Sequence, residues 1–288
     1  MCFTGFQENK IPFLKDHDKS SHDLSNSRPS SLLNSPMKIH DAIICKRLNN
    51  FFEVNNIISH FQAAYRRNLS AADHNLTLQK IFLEYRYNKI SPRGGRIKKL
   101  HDLKTALDTA PRHLLFPKKI NAGTREKLFR VIKNLFSSNP ANVLFDSFLS
   151  PAFHINQGVL QGSKLGPLLF NLSINDLLES SNNSNRATIG DILVSALGFA
   201  DDIVPVTDCQ KKAQKLLDIF QSWAFVNTTT FKTSKCEVMV INGRSSDVKL
   251  MLYSDNRKIV DSYRYLGGTL TSNRITNLFR THFNLVID

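Results

Sequence analysis

Leu197–Val204 reads LGFADDIV, and the two adjacent aspartates in it, Asp201 and Asp202, decide how the chain around them must fold. Apolar, strand-forming residues flank the pair on both sides. Alternation along one strand would bury one of the carboxylates, and like charges so close repel, so the pair belongs at the tip of a tight hairpin. A bare Asp-Asp pair is most often just an exposed turn. An aromatic-Ala-Asp-Asp tip between fully apolar strands is a rarer object. Carboxylate oxygens held there suit a hard divalent cation, which cancels their repulsion. Two bridged Mg²⁺ ions, about 4 Å apart, need a further carboxylate from another strand. In Leu100–Leu115, LHDLKTALDTAPRHLL, both Asp102 and Asp108 qualify, and their spacing does not choose between them.

Upstream of the hairpin, Gln157–Asn171 reads QGVLQGSKLGPLLFN, with Gly158 and Gly162 ahead of an apolar helix predicted over Leu165–Leu178. Glycines before a helix let backbone approach a planar or phosphorylated ligand closely, although an ordinary glycine turn into a core helix has the same pattern. Further helices are expected where apolar residues recur at helical spacing. These are Lys38–Phe52 (through Ile39, Ile43, Ile44, Leu48, Phe51 and Phe52), Asp73–Tyr85, Thr124–Phe136 and Ala213–Ala224. Ile192–Val206 reads strand, turn, strand, and Cys236–Ile241 and Met251–Tyr253 read as short strands. Residues 16–36 are polar and turn-rich and predict a long exposed loop. Between Tyr85 and Leu100 the chain is strongly basic around Pro92, Gly94 and Gly95, which fits a charged connector or a pair of edge strands. Irregular alternation of strands and helices points to an α+β fold, a mixed sheet packed on helices.

The 288 residues carry a formal net charge of +14, which suits a polyanionic partner better than a small neutral substrate. The four cysteines include no CxxC pair and no zinc-finger spacing to histidine, so neither a zinc site nor a disulfide framework is expected. Nothing at the start has the apolar core of a signal peptide, and no apolar run approaches the roughly 18 residues a membrane span needs. The expectation is an intracellular protein, cytoplasmic or nuclear, with no membrane partner.

Taken in order, the strings resemble the reverse transcriptase of non-LTR, LINE-type retrotransposons. HDLKTALD (His101–Asp108) resembles that family's first aspartate motif, GVLQGSKLGPLLFNLSINDL (Gly158–Leu177) its glutamine-glycine motif, and GFADDIV (Gly198–Val204) its metal-binding hairpin. SKCEVMVI (Ser234–Ile241) resembles the lysine motif and YRYLGGTL (Tyr263–Leu270) the primer grip. Upstream, IPFLKDHDKSSHDLSNSRPSSLL, KRLNNFF and FQAAYRRNLSAADHNLTLQ resemble the family's fingers.

The resemblance implies a right-hand polymerase whose fingers and palm surround a central antiparallel sheet, with most of the thumb missing. It implies fingers over residues 1–95, palm over 96–262, and primer grip with the start of a thumb over 263–288. It implies DNA synthesis on an RNA template from a DNA primer and deoxynucleoside triphosphates, with two Mg²⁺ ions, or Mn²⁺ in their place. Carried over residue by residue, Asp102, Asp201 and Asp202 match the metal-binding carboxylates, and Asp108 does not. Lys235 matches a lysine near the leaving pyrophosphate. Lys15, Arg28, Arg66, Leu107, Gln161 and Gly162 match nucleotide- and template-binding positions, and Leu266 and Gly267 the primer grip. The chain departs from the pattern at Leu107, where the family places Phe or Tyr, at His101, Ser27, Ser30 and Ala64-Tyr65, and at Gly166, where it places Ser. A catalytically inactive, nucleic-acid-binding remnant of such an element is the alternative these departures raise.

Overall fold

The computed structural model describes residues 8–14, 27–87, 96–99, 112, 126–136, 140–145, 148–155, 158–160, 162–182, 187–189, 192–241 and 248–271. Two compact units divide the chain. One takes Met1–Ile58 and Thr105–Ser173, the other Ser59–Lys104 and Ile174–Asp288.

In the first unit, β1 (Glu8–Leu14) and β2 (Ser27–Leu32) pair antiparallel, so part of the segment expected to be a loop is an edge strand. Its composition hid this. Pro29 stands opposite Pro12 in the register, a position where neither residue is asked to donate. Pro29 faces the open edge, and Pro12 lies beyond the Glu8–Lys10 stretch that pairs with the next strand, β4 (Pro140–Phe145). Strand β4 also receives β5 (Phe148–Leu149) and β6 (Phe153–His154).

Helix α1 (Ser35–Val54) starts at Asn34, whose side chain accepts the Met37 N–H at 2.9 Å. It buries Met37, Asp41, Ile44, Leu48 and Phe52, while Ile39 and Ile43 are exposed. The buried stripe is therefore rotated from the one the isoleucines suggest, and it contains a carboxylate. Later in this unit, α3 (Glu126–Phe136) buries Ile132, Leu135 and Phe136.

In the second unit, α2 (Ala71–Tyr87) opens with a Ser-x-x-Asp box. Asp73 accepts from both the amide and the hydroxyl of Ser70, which holds its carboxyl below the usual range. Strands β3 (Arg96–Lys99), β9 (Ala196–Phe199), β10 (Asp202–Thr207), β11 (Glu237–Val240) and β14 (Lys258–Ile259) form a five-stranded mixed sheet in the order β14-β11-β3-β10-β9. Two separate pairs are β7 (Ala187–Ile189) with β8 (Ile192–Val194) and β12 (Met251–Leu252) with β13 (Asp255–Asn256).

The basic segment Arg96–Lys99 was expected to be a connector or an edge pair. Instead β3 is central, with β10 on one side and β11 on the other. Ladder pairing on both sides has overridden a composition that reads as surface. Helix α4 (Leu165–Asn182) begins in the first unit and ends in the second. Helix α5 (Gln210–Val226) buries Ala213, Leu216, Leu217, Phe220 and Ala224. The core beneath the sheet joins Leu78, Ile81 and Phe82 of α2 to Leu197, Val204, Val206, Met239, Tyr263 and Tyr265.

Candidate active site

The LGFADDIV stretch folds as the hairpin its composition demands. β9 and β10 pair from Asp202↔Phe199 to Pro205↔Ala196, which leaves Ala200 and Asp201 as a two-residue turn. The left-handed step falls on Ala200, at φ 55°, and not on Asp201. Hairpin turns of this kind place glycine at that first position, and an L-residue there costs about 1–2 kcal/mol. Such strain persists only where neighbours over-determine it.

Here the neighbour is Gln62. Its Oε1 accepts the Ala200 N–H at 3.0 Å, and its Nε2 donates to the Ala200 carbonyl at 3.4 Å. Gly198, in the strand leading to the turn, is equally constrained. A Cβ there would lie 2.9 Å from Leu178 and 3.3 Å from the Gln62 amide. Both aspartates are partly buried at the tip.

Lys235 ends a short 3₁₀ turn, Thr233–Lys235, and is exposed two residues before β11. β10 and β11 each pair antiparallel to β3, so they run the same way and begin at the same end of the sheet. Asp201, Asp202 and Lys235 therefore gather at one end. Among the described residues no group of three or more His, Cys, Asp or Glu stands close enough to hold a metal ion. Asp102 lies outside those residues, as do Lys15, Leu107 and Gln161.

A second strained turn faces the same core. β15 (Ser262–Tyr265) and β16 (Gly268–Thr271) close through Leu266 and Gly267, at φ 46° and 82°. The Asn75 side chain donates to the Leu266 carbonyl at 3.4 Å. The residue just before Asn75, His74, shares a 3.2 Å hydrogen bond with the Tyr265 hydroxyl and sets its ring edge-on to Phe199. Burial brings the His74 pKa down to about 4, against a small upward pull from Asp73. Burial pushes the Tyr265 phenol above its usual range, and the Asp202 charge adds to the shift. Tyr265, next to the Leu266–Gly267 turn, is thus electrostatically in touch with the aspartate hairpin.

Arg66 donates from Nη1 to the Ser59 carbonyl at 2.8 Å and to the Gln62 carbonyl at 3.3 Å, bracing the loop that carries Gln62. Gly162 and Arg28 belong to the first unit. A Cβ on Gly162, at φ 104°, would lie 2.7 Å from the Ser31 carbonyl oxygen, so only glycine fits. The next residue caps α4. The Ser163 hydroxyl accepts from the Leu165 and Gly166 amides and donates to buried Asp41 at 2.7 Å, while the Lys164 N–H donates to the other Asp41 oxygen at 2.6 Å. Gly166 is also required locally, since a Cβ there would meet the Leu160 carbonyl at 2.8 Å. Arg28 pairs through its backbone with Phe13.

Gln62, His74 and Asp41 carry no signature of their roles in the sequence. The available signal was a polar residue at a buried helical or loop position, and nothing in the sequence said what it would meet.

Along the chain, a glycine-serine helix start is followed by a two-aspartate hairpin on a mixed sheet. The chain matches the reverse transcriptase (RNA-dependent DNA polymerase) family over residues 15–270, and it belongs to that family. It is similar to the RNA-directed DNA polymerase from mobile element jockey of Drosophila melanogaster, 27% identical over 282 residues, covering 91% of this chain and 30% of the relative. The jockey polymerase of Drosophila funebris is 26% identical over 88% of this chain and 27% of its own length. These relatives bear out the LINE-type resemblance, and the chain spans less than a third of their length. In fold it is like telomerase from Candida albicans, solved with a fragment of telomeric RNA: TM-score 0.58, 10% identity, 94% of this chain and 45% of that one. Reverse transcriptases as a family use divalent metal ions.

Proposed function

We propose that this chain is the fingers and palm of an RNA-directed DNA polymerase, extending a DNA primer on an RNA template from deoxynucleoside triphosphates. The observation that carries the reading is the end of the sheet at which Asp201 and Asp202 stand. Lys235 stands at that same end, and Asp102 enters as the third carboxylate by its match to the family's first aspartate motif.

Adjacent carboxylate oxygens on a clamped turn are the donor set that hard divalent cations take, so Asp102, Asp201 and Asp202 are the residues to hold two Mg²⁺ ions, or Mn²⁺. When bound, such ions lower the barrier by neutralising charge on the attacking and leaving oxygens. The reaction joins the primer 3′ oxygen, whose proton passes to solvent, to the α-phosphorus of the incoming nucleotide and breaks the bond to pyrophosphate. The bonding pair leaves on the pyrophosphate oxygen, and Lys235 is the residue we assign to give that oxygen a proton. Lys15, Arg28 and Arg66 meet the triphosphate and template charge, Gln161 and Gly162 line the incoming nucleotide, and Leu266 and Gly267 hold the primer end. The net charge of +14 suits such a partner.

Primer extension on an RNA template with Mg²⁺ tests the reading, with Asp201→Asn beside the unmutated protein. The variant should lose several powers of ten in rate, at about 1.4 kcal/mol each, because a cation ligand is gone. Template binding should hold or tighten slightly, since a negative charge leaves a surface that faces phosphates. An unmutated protein that binds RNA but extends nothing with Mg²⁺ or Mn²⁺ would be a retrotransposon-derived binding fragment instead.

A further inference from the structure

Gln62 stands in FQAAYRRNLSAADHNLTLQ, four residues before Arg66, and no metal, nucleotide or primer contact is assigned to it, yet its side chain is fully buried against the aspartate turn. The segment around it pairs with the outer edge of β9. Gly198 donates to the Phe61 carbonyl at 2.8 Å and accepts from the Ala63 amide at 3.0 Å, a parallel bridge between Gln62 and Gly198.

The next rung of such a ladder would engage the N–H and C=O of Ala200. The main chain does not supply it. The Gln62 amide does, accepting the Ala200 N–H at 3.0 Å and donating to the Ala200 carbonyl at 3.4 Å. The same Oε1 accepts the Ala64 N–H at 3.0 Å, which fixes the side chain to its own loop. Two Arg66 hydrogen bonds brace that loop in turn. Only a primary amide offers a donor and an acceptor together at this reach. A carboxylate lacks the donor, and an apolar side chain lacks both.

Ala200 is the residue that needs holding. It carries φ 55° in a position that favours glycine, and Asp201 follows it directly. We propose that Gln62 is a positioning residue of the polymerase site: its amide stands in for a missing strand rung, locks Ala200 in the left-handed conformation, and so fixes where the Asp201 and Asp202 carboxylates point. The proposal rests on the polymerase reading for its kinetic consequence, and on geometry alone for its effect on cation binding.

The test pairs Gln62→Met with Ala200→Gly, which adopts the left-handed turn without strain. Two quantities are read on the full chain: Mn²⁺ affinity by electron paramagnetic resonance, and kcat and KM for the incoming nucleotide in primer extension. Gln62→Met should weaken Mn²⁺ binding and lower kcat by about tenfold or more, with KM little changed, because a mispointed carboxylate acts on the transition state. Adding Ala200→Gly to Gln62→Met should recover about fivefold or more of each, because the turn then needs no clamp. A residue that merely filled space would give no such rescue.

Mn²⁺ affinity and kcat within about twofold of the unmutated protein, or a loss that Ala200→Gly does not relieve, would overturn the proposal. If Gln62→Met fails to melt cooperatively, Gln62→Asn carries the same pair of measurements, since its amide falls one methylene short of Ala200. If the unmutated protein binds Mn²⁺ but extends no primer, the polymerase reading fails, and the Mn²⁺ comparison alone decides the role of Gln62.

Discussion

At the scale of the residue, the turn Ala200-Asp201 holds strain next to a proposed metal ligand. Ala200 at φ 55° is strained, and Asp201 follows it directly. Lys235 is the opposite case, an exposed cation on a short turn at the same end of the sheet. In the proposed role of general acid for the leaving pyrophosphate, it should contribute about 10²–10⁴ in rate. Lys235→Gln is therefore expected to lower kcat by that order, with KM for the incoming nucleotide little changed. Single-turnover extension is the measurement. A loss confined to KM would make Lys235 a simple electrostatic contact.

At the scale of the element, the start of α4 depends on a residue far away in sequence. Asp41, buried in the apolar stripe of α1, accepts from the Ser163 hydroxyl and the Lys164 amide, and Ser163 in turn caps the first turn of α4. Asp41→Ala leaves the buried Ser163 hydroxyl and the part-buried Lys164 N–H without their acceptor, at a cost of about 2–4 kcal/mol. The loss should appear as a lower urea midpoint with an unchanged slope. Asp41→Asn keeps one acceptor and should fall between. The same dependence explains why the helix of Lys38–Phe52 was legible in the sequence and its buried face was not. Helical spacing marks Ile39 and Ile43 as candidates for burial. Which stripe faces inward depends on what the helix packs against, and in this fold the partner of α1 includes hydrogen-bond donors that require a carboxylate.

At the scale of the whole molecule, two bulk properties follow. His74 is buried and neutral in the fold, with its pKa brought from 6.5 down to about 4. The unfolded chain therefore takes up a proton below pH 6.5 that the folded chain refuses. Stability from this group is full above 6.5 and is lost as pH falls toward 4, by at most about 3 kcal/mol. Denaturant melts from pH 7.5 to 4.5 should show the decline, and His74→Gln should remove that part of it. The other property is charge. With a net charge of +14, binding to single-stranded RNA should weaken linearly on a log-log plot against salt, with a slope of about −0.7 per phosphate neutralised. Filter binding between low and moderate salt checks it, and salt-insensitive binding would exclude contact through the phosphates.

The sequence by itself determined the family, the order of its motifs, the aspartate hairpin and the helices, because each of these is written in local spacing: period two, period 3.6, or an Asp-Asp pair that only a turn can hold. Tertiary structure decided the rest. Arg96–Lys99 reads as surface, but strands on both sides make it the centre of a sheet. Ser27–Leu32 reads as loop, but its proline falls where an edge strand needs no donor. Gln62 reads as a polar residue among apolar ones, and only the return of the chain beside Gly198 turns its amide into the rung that holds Ala200. Backbone donors and acceptors must be satisfied wherever they are buried, and which distant residue satisfies them is settled only when the chain has closed on itself.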